Sequence, residues 1–329
     1  MTLPLSEFRV VRPRDVDAAV TARRDHRMSR FLAGGTDLVV NLRRGLGNPT
    51  LLIDLDGIEE LRGLDCSDQG ARIGAGTRLV ALATHAALAE RYAAVSEAAA
   101  VIAGPGHRNI ASVGGNLCLD TRCIYYNQSE WWRHTNRYCL KYGGDICHVA
   151  PQGKRCHAAF SGDLAPALMV LGAEVEIAGG SGRRRTPLAA LYADDGRAHL
   201  RLAEDELVIA VHLPPTTARS GYAKSRVRGS TDFPLAGVAV ALHTDGSKLS
   251  ALRVALTGTN PRPFLLEGTD ALVGGPLSET SVQKLEKLVQ KQVQPMRTTL
   301  ASGNYRRLVA AALVRRLVID LAARATVPA

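Results

Sequence analysis

Aromatic side chains are scarce in this sequence: 5% of 329 residues, with five Phe and only two Trp. No run of about 18 apolar residues occurs, so no membrane-spanning helix is expected. The opening "MTLPLSEFRVVRPRD" lacks a basic stretch followed by an apolar segment, the pattern of a secretory leader. Together these absences give the expectation of a cytoplasmic protein without a membrane partner. Acidic residues are outnumbered, 31 Asp and Glu against 41 Lys and Arg, for a formal charge of +10. The basic residues are scattered and no nucleic-acid-binding module is present, so no nucleic acid partner is expected. An anionic cofactor or an acidic partner protein fits such a field. There is no catalytic triad and no acid–base pair in a convincing setting, and His107 and His134 read as structural. No catalytic residue is expected on this chain.

What is present is a chain long enough for two or three domains with buried cores. Hydrophobic content of 46% is that of a globular protein. Six cysteines occur, and in a reducing compartment they are not expected to pair. Cys66 stands alone, while the other five fall between positions 118 and 156. Both tryptophans lie among them, in "YYNQSEWWRHTNRYC". Such a cytosolic cluster reads as metal binding or redox chemistry.

The periodicity divides the chain into three units. Residues 1–60 alternate as βαβ: strands at "FRVVRP", "SRFLAGG" and "TLLIDLDGI", helices at "DVDAAVTARRD" and "TDLVVNLRRGL". Residues 61–215 form a second unit, with a strand, glycine turn and helix in "GARIGAGTRLVALATH". An alanine-rich helix follows in "ERYAAVSEAAAVIAG", and helix then strand in "LAPALMVLGAEVEIAGG". The segment 119–159 interrupts this unit as a long aperiodic insert, a length usually kept for function. Residues 218–329 read as α+β. "VAVALHTDG" and "LSALRVALTGT" make a hairpin. A helix capped by Thr280 and Gln283 follows. A last helix should turn Leu308, Val309, Ala312, Leu313 and Leu317 inward and its arginines outward.

Two glycine turns stand between strand and helix. In "AGGTDL" (33–38), glycine lets a ligand approach the backbone, and the following helix start favours phosphate. Thr36 adds a hydroxyl. "ASVGGNLC" (111–118) is a second loop of the same character, with Asn116 placed to pin it. Neither is a G-x-G-x-x-G or Walker A sequence. A plain βα turn is the simpler reading of either loop alone; the pair suits a pyrophosphate between two subdomains.

"FLAGGTDL", "GPGHRNIASVGGNL", "GDLAPALMVLGA" and "YAKSRVRGSTDFPLAGVAVAL", in that order, resemble the FAD-binding subunit of the xanthine oxidase family of molybdenum hydroxylases. The resemblance implies a two-subdomain FAD-binding domain of the vanillyl-alcohol-oxidase and xanthine-oxidase type, plus a small C-terminal α+β domain. It implies that Ala33, Gly34, Gly35, Thr36, Asp37 and Leu38, with Ala111, Ser112, Gly114, Gly115 and Asn116, hold FAD. Asp163 and Lys224 would stand near the flavin, and Arg228 and Asp232 would lie in the motif that follows. Leu119 departs from the hydroxyl residue that relatives often carry. From the residues alone, Asp163 could equally cap the helix after it, Lys224 could be a solvated strand residue, and Arg228 with Asp232 a surface ion pair.

The insert sharpens the resemblance to the 4-hydroxybenzoyl-CoA reductase branch of that family, through "LCLDTRC", "YNQSEWWR", "YCLKY" and "GDICHV". That branch implies a [4Fe–4S] cluster on Cys123, Cys139, Cys147 and Cys156. Fifteen, seven and eight residues separate these four in turn. Cys118 falls in the glycine loop and is assigned to the flavin side. By spacing alone, structural zinc stands level with iron, with His148 or His157 replacing one thiol. Lys and Arg outnumber Asp and Glu in the insert, which would offset a negative cluster. Trp131, Trp132, Tyr125, Tyr126, Tyr138 and Tyr142 would wall the site from water.

The implied role is electron transfer in aromatic degradation. Electrons would pass from ferredoxin through [4Fe–4S] and FAD to the [2Fe–2S] clusters of a small subunit. From there they would reach a molybdopterin-binding large subunit that dehydroxylates 4-hydroxybenzoyl-CoA. The complex would be a heterotrimer dimerised to a heterohexamer. The alternative is the FAD subunit of a xanthine- or aldehyde-dehydrogenase-like hydroxylase with outward electron flow. Because flavin and cluster would use different loops, Cys139→Ser is expected to lose the cluster and keep FAD.

Overall fold

A computed structural model describes Leu5, residues 7–297 and residues 300–324. The outer ends of the first and third expected units, 1–4, 6 and 325–329, lie outside the described residues.

Three sheets organise the chain. The first is parallel, in the order β1-β3-β2, from β1 (Arg9–Val11), β2 (Ser29–Leu32) and β3 (Leu51–Asp54). Parallel neighbours need crossovers, and two helices supply them: α1 (Val16–Asp25) and α2 (Leu38–Arg43). Asp15 caps α1 by accepting the Ala18 N–H at 2.7 Å. Val16, Ala19 and Val20 pack with Leu51, Ile53, Ile58 and Leu61 into one apolar cluster.

The second sheet is antiparallel, β4-β5-β8-β6-β7, from β4 (Leu64–Ser67), β5 (Gly70–Gly74), β6 (Glu174–Gly179), β7 (Gly182–Pro187) and β8 (Leu207–Leu213). Its helices are α3 (Leu79–Thr84), α4 (Ala86–Arg91), α5 (Ala93–Val101), α6 (Pro105–Arg108), α7 (Val113–Leu117), α8 (Glu130–Thr135) and α9 (Leu164–Val170). All seven side chains of α9 are buried, so that helix runs through the middle of the largest apolar cluster.

The third sheet, β12-β11-β10-β9, joins β9 (Arg219–Ser225), β10 (Ala236–Asp245), β11 (Lys248–Thr257) and β12 (Phe264–Leu265). The expected hairpin is β10 and β11, with Gly237 opposite Thr257. Two helices, α10 (Glu279–Gln292) and α11 (Gly303–Ala323), cover it and share its apolar cluster.

Two local expectations are corrected. The cap of α10 is Ser278, not Thr280: Ser278 accepts from the Ser281 N–H, and Ser281 returns the bond to the Ser278 N–H. In α11, Leu308 is 49% exposed and the buried stripe runs through Ala310, Val314, Leu317 and Leu321. Arg306 points inward, because its guanidinium donates to the carbonyls of Leu235, Met296 and Gly258. Among the described residues, no helix is long and apolar enough to cross a membrane.

Candidate functional site

The two glycine loops meet. A Cβ on Gly34 would collide with the carbonyl of Ile110, the residue just before the second loop. Gly35 takes φ +68, a conformation that favours glycine. In the second loop Ser112 caps α7 by accepting the Gly115 N–H at 3.2 Å. Asn116 is buried, and its Oδ1 accepts the N–H of Leu164 at 3.2 Å. That bond ties the loop to the start of α9, whereas the sequence suggested only that Asn116 pins its own turn.

Asp163 stands at the N-cap of α9, but its side chain caps nothing. It faces Lys224 of β9 instead, at 3.1 Å, with both side chains under 5% exposed. Tyr222 donates its hydroxyl to the same carboxylate at 2.6 Å. Burial pushes the Asp163 carboxyl up and the Lys224 ammonium down, while each partner opposes the shift of the other. The capping and solvated readings of these two residues therefore do not hold. Arg228 and Asp232 do form a surface pair, at 3.6 Å.

The segment 119–159 folds as a lobe closed at its neck. Arg122 and Ala159 pair as an antiparallel bridge, with bonds of 2.7 and 2.8 Å. Cys123, Cys139, Cys147 and Cys156 line one small cavity in it, with Tyr125, Tyr126, Lys141 and His148. Cys118 and His157 are not among the lining residues. Backbone N–H groups point at the sulfurs: Tyr125 N lies 3.5 Å from Cys123 Sγ, and Ala158 N lies 3.4 Å from Cys156 Sγ. Burial pushes the thiols of Cys123 and Cys156 up to about 11 and about 12. Among the described residues no three His, Cys, Asp or Glu side chains are placed to hold a single metal ion.

The aromatic wall is partly as expected. Tyr125 and Tyr126 line the cavity, Tyr142 packs 6.2 Å from Tyr126, and Tyr138 lies 5.8 Å from Tyr142. Trp132 packs on Tyr125 at 6.1 Å. Trp131 is 74% exposed and walls nothing. The α8 helix turns Arg133 inward, and with the ring on its outer face Trp131 is left to solvent.

The lobe and the first glycine loop are joined. The Arg122 guanidinium binds the Asp37 carboxylate and donates to Asn41 Oδ1 at 3.1 Å. The Asp120 N–H also reaches Asp37, at 3.4 Å. The thiols and the glycine loop lie on different segments that touch: Asp37 contacts the residue next to Cys123. Sequence reasoning missed Tyr222, and it counted Arg122, Arg133 and Lys141 only as positive charge in the insert, without the contacts they make. Only Tyr222 left a signal, since it lies two positions before Lys224 on one strand and so shares its face.

Residues 6–216 match the family described as "FAD binding domain in molybdopterin dehydrogenase", and residues 220–321 match "CO dehydrogenase flavoprotein C-terminal domain". The chain belongs to the FAD-binding subunits of xanthine oxidase-family molybdenum enzymes. It is 35% identical, over 78% of its length and 82% of the relative's, to the aldehyde oxidoreductase FAD-binding subunit PaoB of Escherichia coli (strain K12). It is 26% identical to the carbon monoxide dehydrogenase medium chain of Hydrogenophaga pseudoflava, over 88% and 87% of the two chains. A solved structure of carbon monoxide dehydrogenase from Hydrogenophaga pseudoflava has the same fold, with a TM-score of 0.80, 23% identity, and coverage of 98% and 99%. This FAD-binding subunit thus has the mixed α/β architecture of the carbon monoxide dehydrogenase medium chain.

Proposed function

We propose that this subunit relays electrons within a molybdenum enzyme complex, holding FAD between the two glycine loops and a [4Fe–4S] cluster in the lobe. The observation that carries the reading is the cavity ringed by Cys123, Cys139, Cys147 and Cys156, one ion pair away from the Gly34–Gly35 loop. Four thiols suffice for one such cluster. The same four thiols could hold one zinc; the lobe's resemblance to the cluster-bearing branch is what favours iron. The N–H groups of Tyr125 and Ala158 would stabilise sulfur as thiolate, against the burial that favours the neutral thiol. Asn127 adds a buried amide nitrogen without a partner, on a side chain whose oxygen accepts the Cys123 N–H. Lys141 places its ammonium over the Tyr126 ring at 4.2 Å and beside Asp120 at 2.6 Å, a cation near a site of negative charge.

For FAD, Ala33 to Leu38 would supply backbone N–H groups to the pyrophosphate, while Ala111, Ser112, Gly114, Gly115 and Asn116, whose N–H groups are largely taken within the chain, would form the facing side of the site. Asp163 and Lys224 would form the adjoining wall, held neutral as a pair. Bound FAD would exchange electrons in ones or twos, and the cluster would carry them singly. The partners would be a molybdopterin-binding large subunit and a [2Fe–2S] small subunit, in a trimer that dimerises to a hexamer.

On direction, the aldehyde oxidoreductase subunit at 35% identity supports outward flow, from an aldehyde or similar substrate oxidised on the large subunit. The second reading is inward flow from ferredoxin to dehydroxylate 4-hydroxybenzoyl-CoA, and it rests on the lobe's "YNQSEWWR" and "YCLKY" stretches. Anaerobic purification of the native complex tests the core claim: FAD, about four irons and about four sulfides per copy beyond the [2Fe–2S] complement. Zinc without iron, or a colourless chain, would overturn it. Aldehyde oxidation by the complex supports the first direction. Turnover of 4-hydroxybenzoyl-CoA with reduced ferredoxin, and none with aldehydes, supports the second.

A further inference from the structure

Helix α2 begins at the first glycine loop, and the cysteine lobe holds it at both ends. At its start, Asp37 occupies the cap position but makes no bond to the helix N–H groups. Its carboxylate is taken by the Arg122 guanidinium and the Asp120 N–H. Arg122 also donates to Asn41 on the same helix. Beyond its end, Arg133 donates to the carbonyl of Arg44 at 2.9 Å and of Gly45 at 3.3 Å. Tyr142 donates its hydroxyl to the Gly45 carbonyl at 2.6 Å. Arg133 is wholly buried, and its charge lies over the Tyr142 ring at 4.5 Å.

Little else fixes this helix. It has six residues, too few to be stable by its own hydrogen bonds. No side chain of α2 enters any of the three apolar clusters found among the described residues. The helix buries only Asn41 and Leu42, and apart from the Asn41 amide, which donates to Asp37 at 3.2 Å, the polar partners that hold its two ends belong to the lobe. We infer that Arg122, Arg133 and Tyr142 are positioning residues for FAD: by gripping α2 they set the first flavin loop, so flavin affinity depends on the folded lobe. This rests on the flavin site proposed above. Coupling of this kind is reciprocal, so bound FAD must also stabilise the lobe.

The test is flavin binding by the full chain after FAD removal, followed by flavin fluorescence. Arg122→Gln should weaken FAD about tenfold or more, and Tyr142→Phe about threefold, with Arg122→Lys recovering part of the loss. Arg133 lies at the far end of α2 from the glycines, so weaker FAD in Arg133→Gln reports the grip and not a direct contact. In a double-mutant cycle, Asp37→Asn with Arg122→Gln should cost no more than the larger single change. Full multiplication of the two losses would show that Arg122 does not act through Asp37. FAD affinity within about twofold of wild type in Tyr142→Phe and Arg122→Gln would overturn the inference. Should the arginine variants fail to fold, amide exchange in the wild-type chain decides. Residues 34–46 should exchange faster once a chelator has emptied the lobe, and unchanged exchange overturns the inference. A wild-type chain that takes up no FAD at all would refute the flavin site itself, a result distinct from either.

Discussion

Lys224 carries its charge where water does not reach, and Asp163 is the reason it can. The pair is closed by the Tyr222 hydroxyl, so the carboxylate accepts from two donors. Replacing only the lysine leaves a buried carboxylate without its counter-charge, which costs far more than an exposed pair is worth. Lys224→Met should destabilise the chain by about 3–5 kcal/mol, read from urea unfolding. A loss below about 1 kcal/mol would mean that water enters the site. Gly34 sets a second test at this scale. A Cβ there must push the Ile110 carbonyl away and part the two glycine loops. Gly34→Ala should weaken FAD about tenfold, measured by flavin titration. Each glycine pair was legible in the sequence as a turn between strand and helix, and only the two loops together pointed to a shared ligand. Arg122 was not. Beside Cys123 it reads as one more basic residue, and its partner Asp37 lies 85 positions away.

Elements were legible where one face is apolar and lost where a polar side chain turns inward. The hairpin of β10 and β11 and the apolar side of α1, with Val16, Ala19 and Val20 buried, both follow from pattern. The face of α11 does not, because pattern counts Arg306 as surface, while the structure buries it to 3% with three carbonyl acceptors. The neck of the lobe has a similar hidden group. His199 is buried, and its Nε2 donates to the Leu119 carbonyl at 2.9 Å. Burial pushes its imidazole down to about 4. The unfolded chain would bind a proton near pH 6.5 that the folded chain refuses until about pH 4. The stability from this site is therefore complete above the unfolded value. It falls as pH drops through that window, by roughly 3 kcal/mol in all. His199→Gln keeps a side-chain N–H donor and cannot titrate, so its urea midpoint should change less than wild type between pH 7 and pH 5. Equal slopes in the two proteins would show that His199 is not the proton-linked group.

At the scale of the molecule, the second and third sheets each own a large apolar cluster, and the lobe owns none. Between Asp120 and Ala158 no residue belongs to the apolar clusters of the described residues. The lobe is fastened by polar contacts to all three sheet units. Arg133 and Tyr142 reach the loop after α2, Thr121 donates to the Gly196 carbonyl at 2.6 Å, and Arg155 donates to Gln294 at 2.7 Å. Such a segment has little apolar burial to hold it, so the cluster proposed above would add much of its stability, as in small metal-dependent domains. The lobe should then open before the sheets do. Its own composition makes this measurable, since the chain's two tryptophans are Trp131 and Trp132. Trp131 is already in water, and Trp132 packs on Tyr125 beside the thiol cavity. Chelation should therefore red-shift tryptophan emission while far-UV circular dichroism, dominated by the sheet units, stays nearly constant. Heating the chelated protein should then give one transition, that of the sheets, with the tryptophan signal already spent. If tryptophan emission and circular dichroism instead change together on chelation, the lobe and sheets form a single cooperative unit, and the thiols' ligand stabilises the whole fold.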